Sequence, residues 1–254
     1  MNRLLLQATA VLFLLILSSC DTIREKREAC PSIVTLDLSN TDPLIDYLTI
    51  WFFGQDGALL EKDTVLKENY RNLYNVKMKR ELVECHVWGN PDTDSLYYCR
   101  KDIDATGETA MAEIVVCREH ADIFLLLDGY AEGGAVSSSI ACTTKGRMVN
   151  GDYVEKENII EGVVGKGPEG KLLFRHRMIR QKDISAMKLT ITSFSPDGLR
   201  HEHVYNLGEW LRSLDYDMNA RNLEDVVIEA DFSFSYFNIT VEPWNFGEKF
   251  EVTV

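Results

Sequence analysis

The sequence has no Cys-x-x-Cys pair, no His-Glu-x-x-His and no Gly-x-Ser-x-Gly. The motifs of a zinc knuckle, a zinc hydrolase and a serine nucleophile elbow are therefore missing. Basic residues are scarce: 27 Lys and Arg face 40 Asp and Glu, a formal net charge of −13. Such a surface repels phosphates, which excludes nucleic acid as a partner and disfavours docking on anionic lipid through a basic patch. Beyond residue 17 no apolar run approaches the roughly 20 residues that a spanning helix needs. Disorder is excluded as well, because 45% of residues are hydrophobic and only 26% charged.

What is present begins with Arg3 and an apolar run from Leu4 to Leu17, interrupted by Gln7 and Thr9 and closed by Ser18-Ser19-Cys20. A short basic region, a short apolar region and a small-residue cleavage site make a secretory signal peptide over 1–19. A Cys directly after the small residues resembles a bacterial lipoprotein signal, with Cys20 as the lipidated first mature residue. Each buried acyl CH₂ contributes about 0.8 kcal/mol, so two or three chains hold a protein where one would not. Residues 20–31 are charged and polar, a solvated tether.

From Ile33 onward the texture is that of strands. Leu48-Thr49-Ile50-Trp51-Phe52-Phe53 stops at the turn sequence Gly54-Gln55-Asp56-Gly57, with Ala58-Leu59-Leu60 as the return strand. Glu81 to Trp88 and Ile123 to Leu127 follow. Met187 to Thr192, Phe232 to Val241 and Phe250 to Val254 alternate with period two, which puts each set on one sheet face. One helix is predicted over Leu207 to Leu214. Many short strands with turns between them predict an all-β protein of two tandem β-sandwiches. The loosened stretch Thr143 to Asp152 places the boundary between a first domain, 32–149, and a second, 150–254.

The remaining motifs read as structure. Gly165 to Lys171 satisfies both G-x-G-x-x-G and G-x-x-x-x-G-K, but Leu172-Leu173-Phe174 reads as strand, so no helix opens to meet phosphate. A hairpin loop is expected, and no cofactor or metal site. His201-Glu202-His203 reads as a solvated strand, and Asp92-Thr93-Asp94 and Asp102-Ile103-Asp104 as loops. Trp51, Trp88, Trp210 and Trp244 read as core. If Cys20 carries lipid, five cysteines remain. Cys85 and Cys99 flank a predicted hairpin, Cys117 and Cys142 can form a second disulfide, and Cys30 is left over; free buried thiols are the other reading.

These features together resemble the FimB/Mfa2 family of fimbrial subunits from Bacteroides-like bacteria. The resemblance rests on Cys20 with Cys30-Pro31 after it, on Tyr47 to Phe53 with Asp56-Gly57, and on the strand end His86-Val87-Trp88-Gly89-Asn90. It implies transthyretin-like topology in both sandwiches and a non-catalytic protein lipid-anchored in the outer membrane. The implied role is to anchor a fimbrial shaft or limit its length, with the shaft subunit as partner through strand exchange. The terminal strand with Phe250, Val252 and Val254 is the leading assembly candidate. The reading from a different class is a surface glycan-binding lipoprotein for nutrient uptake.

Overall fold

The computed structural model describes residues 30–93, 95–129, 135–194, 198–231 and 237–242. The strands of the first half are β1 (Ser32–Asp37), β2 (Tyr47–Gly54), β3 (Leu59–Leu66), β4 (Tyr74–Met78), β5 (Leu82–Gly89), β6 (Tyr97–Asp104), β7 (Thr109–Glu113) and β8 (Cys117–Arg118). They form a three-stranded sheet of order β4-β1-β7 and a five-stranded sheet of order β3-β2-β5-β6-β8. β1 runs antiparallel to β4 and parallel to β7. Between the sheets lies a core that includes Val34, Leu36, Ile50, Phe52, Cys85 and Val87. Period-two alternation puts these side chains on the inner faces.

The second half repeats the plan. Its elements are β9 (His120–Asp128), β10 (Ala135–Arg147), β11 (Tyr153–Glu161), β12 (Val163–Lys166), β13 (Leu172–Ile179), β14 (Lys188–Phe194), β15 (Arg200–Tyr205), the helix α1 (Leu207–Ser213), β16 (Asp225–Asp231) and β17 (Phe237–Glu242). One sheet has the order β12-β13-β9-β16-β17 and the other β11-β10-β14-β15. β9 is antiparallel to β13 and parallel to β16, as β1 is to β4 and β7. A separate core, with Ile123, Leu125, Ile140, Phe174, Leu189 and Val226, fills this sandwich. The chain thus has the tandem all-β sandwich architecture that its strand texture predicts. The two halves share a topology although no repeat is visible in the sequence.

The boundary expected at residue 149/150 is corrected. The sheets divide at Glu119, the single residue between β8 and β9. The polar stretch Thr143 to Asp152 is the end of the 13-residue β10 and its turn into β11. Gly151, at φ +84°, makes that turn. The composition loosens there because the strand end and turn carry exposed side chains. The true junction, Arg118-Glu119-His120, contains no Gly or Pro and reads as uninterrupted chain. Its charges are buried, as described below.

Asp102-Ile103-Asp104, read as a loop, instead ends strand β6, whereas the following elements fall where the patterns put them. Gly54 to Gly57 closes the β2–β3 hairpin, with Gly57 at φ +76°. The Gly-rich loop Gly165 to Lys171 joins β12 to β13 around one 3-10 turn, Pro168–Gly170. Lys171 pairs with Glu229 at 3.0 Å, and strand β13 rather than a helix opens after it. His201, Glu202 and His203 lie on β15, an edge strand. Among the described residues no helix is long and apolar enough to cross a membrane.

Candidate functional site

Three features stand out from the bare sandwiches: an aromatic face on the first, a buried charge cluster at the junction, and an open strand edge.

The register Thr49↔Trp88↔Tyr98 and Trp51↔His86↔Arg100 fixes which side chains face away from the first core. They form a contiguous aromatic series. Trp51 stacks parallel to Phe53 with centroids 6.4 Å apart. Phe53 meets His86 edge-on at 5.3 Å. His86 Nδ1 lies 2.8 Å from Tyr98 Oη, and Tyr98 packs on Trp88 at 4.3 Å. Aromatic pairs in such geometries contribute about 0.5–1.5 kcal/mol each beyond their buried area. Trp88 is 5% exposed, but it is buried outside the first core. Its cover is the β10–β11 turn of the second sandwich, where the Val149 carbonyl accepts its indole N–H at 3.1 Å. The expectation of a core Trp holds for burial and is corrected for place. Trp210, on α1, packs against the second core, and Trp244 lies outside the described residues.

At the junction, Glu119 receives Arg147 at 2.8 Å and Arg180 at 3.1 Å. Arg118 donates to Asp225 Oδ1 at 2.8 Å and to the Leu223 carbonyl at 3.0 Å. Asp122 is held by both Arg177 Nε and Nη2, each at 2.8 Å. The carboxylates are all at least nine-tenths buried. Burial alone would raise the Asp122 carboxyl, but the paired Arg177 guanidinium outweighs it and holds the pKa below the usual range. For Asp225 burial wins and the pKa is raised despite Arg118. His120 is buried between Arg118 Nε at 3.1 Å and the Leu96 carbonyl at 3.0 Å. Its Nε2 accepts from Arg118 and its Nδ1–H donates to Leu96, the neutral tautomer. Burial, reinforced by the Arg118 charge, lowers its pKa to about 4. Removing one partner from a buried pair costs about 3–5 kcal/mol, so the contacts of Arg118 and Glu119 fix how the sandwiches meet, while Asp122 and Arg177 are paired across β9 and β13 within the second.

The open edge is that of β7. In the second sandwich β17 pairs with β16. In the first, no strand among the described residues pairs beyond β7 at the equivalent position. Met111 on β7 is 67% exposed. An unpaired edge offers a row of main-chain donors and acceptors to another strand.

Of the residues singled out in the sequence, Cys20, Phe250, Val252 and Val254 lie outside the described residues. The five described cysteines are free thiols, and the proposed disulfides are corrected. Cys85 sits opposite Lys101, and Cys99 opposite Val87, so the two are diagonal neighbours on adjacent strands. Cys117 pairs with Tyr98 in the first sandwich, whereas Cys142 is 2% exposed inside the second core. A disulfide needs Cα atoms within about 7 Å, whereas half-buried Cys117 lies on an edge strand of the first sandwich and Cys142 lies inside the second core. Burial pushes the Cys85, Cys99 and Cys142 thiols up, which keeps them protonated.

Neither the aromatic face nor the charge cluster was recognised from sequence. A signal for the first existed. In β2 the run Ile50-Trp51-Phe52-Phe53 is apolar on both faces, which marks a strand covered on both sides.

No family model matches the chain, and no curated protein does. Solved structures match it in fold. The fimbrial anchor protein Mfa2 from Porphyromonas gingivalis aligns with a TM-score of 0.59 at 11% identity, over 85% of this chain and 98% of that one. A candidate adhesin from Bacteroides ovatus aligns with a TM-score of 0.58 at 12% identity, over 85% and 94%. Candidate polysaccharide binding proteins from Bacteroides thetaiotaomicron give 0.59 at 11%, over 85% and 97%. The tandem-sandwich fold of this chain is therefore shared with these solved structures, each covered almost end to end.

Proposed function

We propose that this chain is a fimbrial lipoprotein of the outer membrane. It anchors a fimbrial shaft or limits its length, without catalysis, through strand-mediated contacts. The observation that carries this reading is the fold shared with the anchor protein Mfa2 across 85% of this chain and 98% of that one. The signal-like segment ending at Cys20 supports it independently. Lipid on Cys20 would hold the body at the membrane, with residues 20–31 as the tether, facing the cell exterior.

The assembly partner is the shaft subunit. Strand pairing at the open β7 edge and through the segment with Phe250, Val252 and Val254, whose sequence alternates with period two, is the proposed means. A pull-down of the tagged chain from an outer-membrane extract, read by mass spectrometry, tests the partner. A shaft-forming subunit recovered with the bait, and lost when residues 249–254 are deleted from a still-folded chain, is the expected result. Capture of sugar-transport components in its place would move the chain to the glycan-uptake reading.

A further inference from the structure

A cleft of about 710 Å³ opens beside the junction, between the outer face of the first sandwich and the β10–β11 hairpin of the second. That volume lies within the range of small-molecule sites. The anchoring role does not require a cleft there, because strand pairing acts at sheet edges.

Two properties of its lining point to one kind of ligand. The first is charge. Among the described residues, four basic side chains (Lys62, Lys145, Arg147 and Arg177) and one carboxylate, Asp92, line it, in a chain of net charge −13. Arg147 and Arg177 are committed to Glu119 and Asp122. Asp92 accepts from Tyr47 Oη at 2.8 Å. Lys62 and Lys145 are exposed, on β3 and β10, one on each side of the cleft. A cleft of one sign in a surface of the other concentrates counter-charged ligands.

The second property is the aromatic series. Its half-buried end, Trp51, lines the cleft together with Tyr47 and Trp88. Lys62 Nζ lies over the Trp51 ring, 4.1 Å from its centroid. This cation–π contact sets an ammonium beside an indole. An aromatic surface next to a cation, with hydroxyl and amide groups from Thr49, Thr64 and Asn158 in the same lining, matches a ring that has an apolar face, hydroxyls at its rim and an anionic substituent.

We infer that this cleft binds an acidic saccharide. Its sugar ring packs on the Trp51 side and its carboxylate is shared between Lys62 and Lys145. Strand-like peptide recognition uses an unpaired sheet edge. Here β2 and β5 present side-chain faces to the cleft from the interior of their sheet, and the edge strand β3 contributes Lys62 and Thr64 on that same face, opposite Trp51 and Thr49, which favours the saccharide over an acidic peptide.

The test is calorimetric titration of the full chain in detergent with trigalacturonate, maltotriose and hexaglutamate. Trigalacturonate should bind saturably, more weakly as salt is raised, and at least tenfold more tightly than either of the others. The double variant Lys62→Ala/Lys145→Ala changes only exposed side chains, and its unchanged circular dichroism would verify folding. It should lose about tenfold in affinity for trigalacturonate. Trp51→Phe keeps a ring and should lose less. Three results would overturn the inference: no saturable trigalacturonate binding, equal affinity in the double variant, or tighter binding of hexaglutamate, which would make the cleft a peptide site. None of these outcomes depends on whether the chain anchors fimbriae.

Discussion

Trp88 of the first sandwich donates its indole N–H to the Val149 carbonyl of the second at 3.1 Å. Two sandwiches that each have their own core are therefore joined by a buried aromatic residue that belongs to neither. Trp88→Ala removes ring packing as well as the hydrogen bond, at a cost of about 3–5 kcal/mol. Trp88→Phe keeps a ring and loses the bond, about 0.5–1.5 kcal/mol. Denaturant unfolding monitored by circular dichroism should show one transition in the wild type and, in Trp88→Ala, two that separate. A single unshifted transition in Trp88→Ala would mean that the contact does not couple the sandwiches.

Gly151 adds a second constraint at the same turn. A Cβ there would lie 2.0 Å from Tyr98 Oη, and its φ is +84°. Gly170 has a similar φ of +80° with nothing within 4 Å of such an atom. Gly170→Ala should thus show only the left-handed backbone penalty, about 1 kcal/mol. Gly151→Ala should cost clearly more, because the turn must lift off Tyr98. Equal melting shifts for the two variants would count against tight docking of the turn on Tyr98.

The buried histidines set an acid limit on stability. His120 and His176 are both lowered to about 4, by burial first. Each is neutral in the folded state, whereas the unfolded chain titrates near 6.5. The unfolded state therefore binds more protons between these values, and stability rises with pH across that window. The contribution is complete above about 6.5 and is lost as pH falls through about 4. Melting temperatures measured from pH 7.5 to 4 should fall steadily below 6.5, and His120→Gln should flatten part of that slope. A melting temperature that does not change down to pH 4 would contradict the neutral, buried placement.

Much of the fold was legible because burial writes itself into strands with period two. Leu48, Ile50 and Phe52 face the core as their spacing predicts, and the Gly54 to Gly57 turn follows from its residues. The junction was not legible for the opposite reason. Arg118, Glu119, Asp122 and Arg180 are charged residues whose burial depends on partners far away in sequence, such as Asp225 and Arg147. No local pattern marks such pairs. The same holds for Trp88, whose cover comes from residue 149. The Thr143 to Asp152 stretch misled because a strand end and a linker share a composition; only the pairing of β10 with β11 and β14 tells them apart.

The central claim, that a lipid on Cys20 makes this chain the membrane attachment of a fimbrial shaft, is tested most directly by Cys20→Ala in the native cell. Membrane and medium fractions should be probed for both this chain and shaft subunits. The account predicts that the variant loses its membrane association or its processing, and that fimbriae are shed into the medium or lengthen. A variant that stays membrane-bound at unchanged mobility, on cells whose fimbriae are retained at normal length, would contradict it.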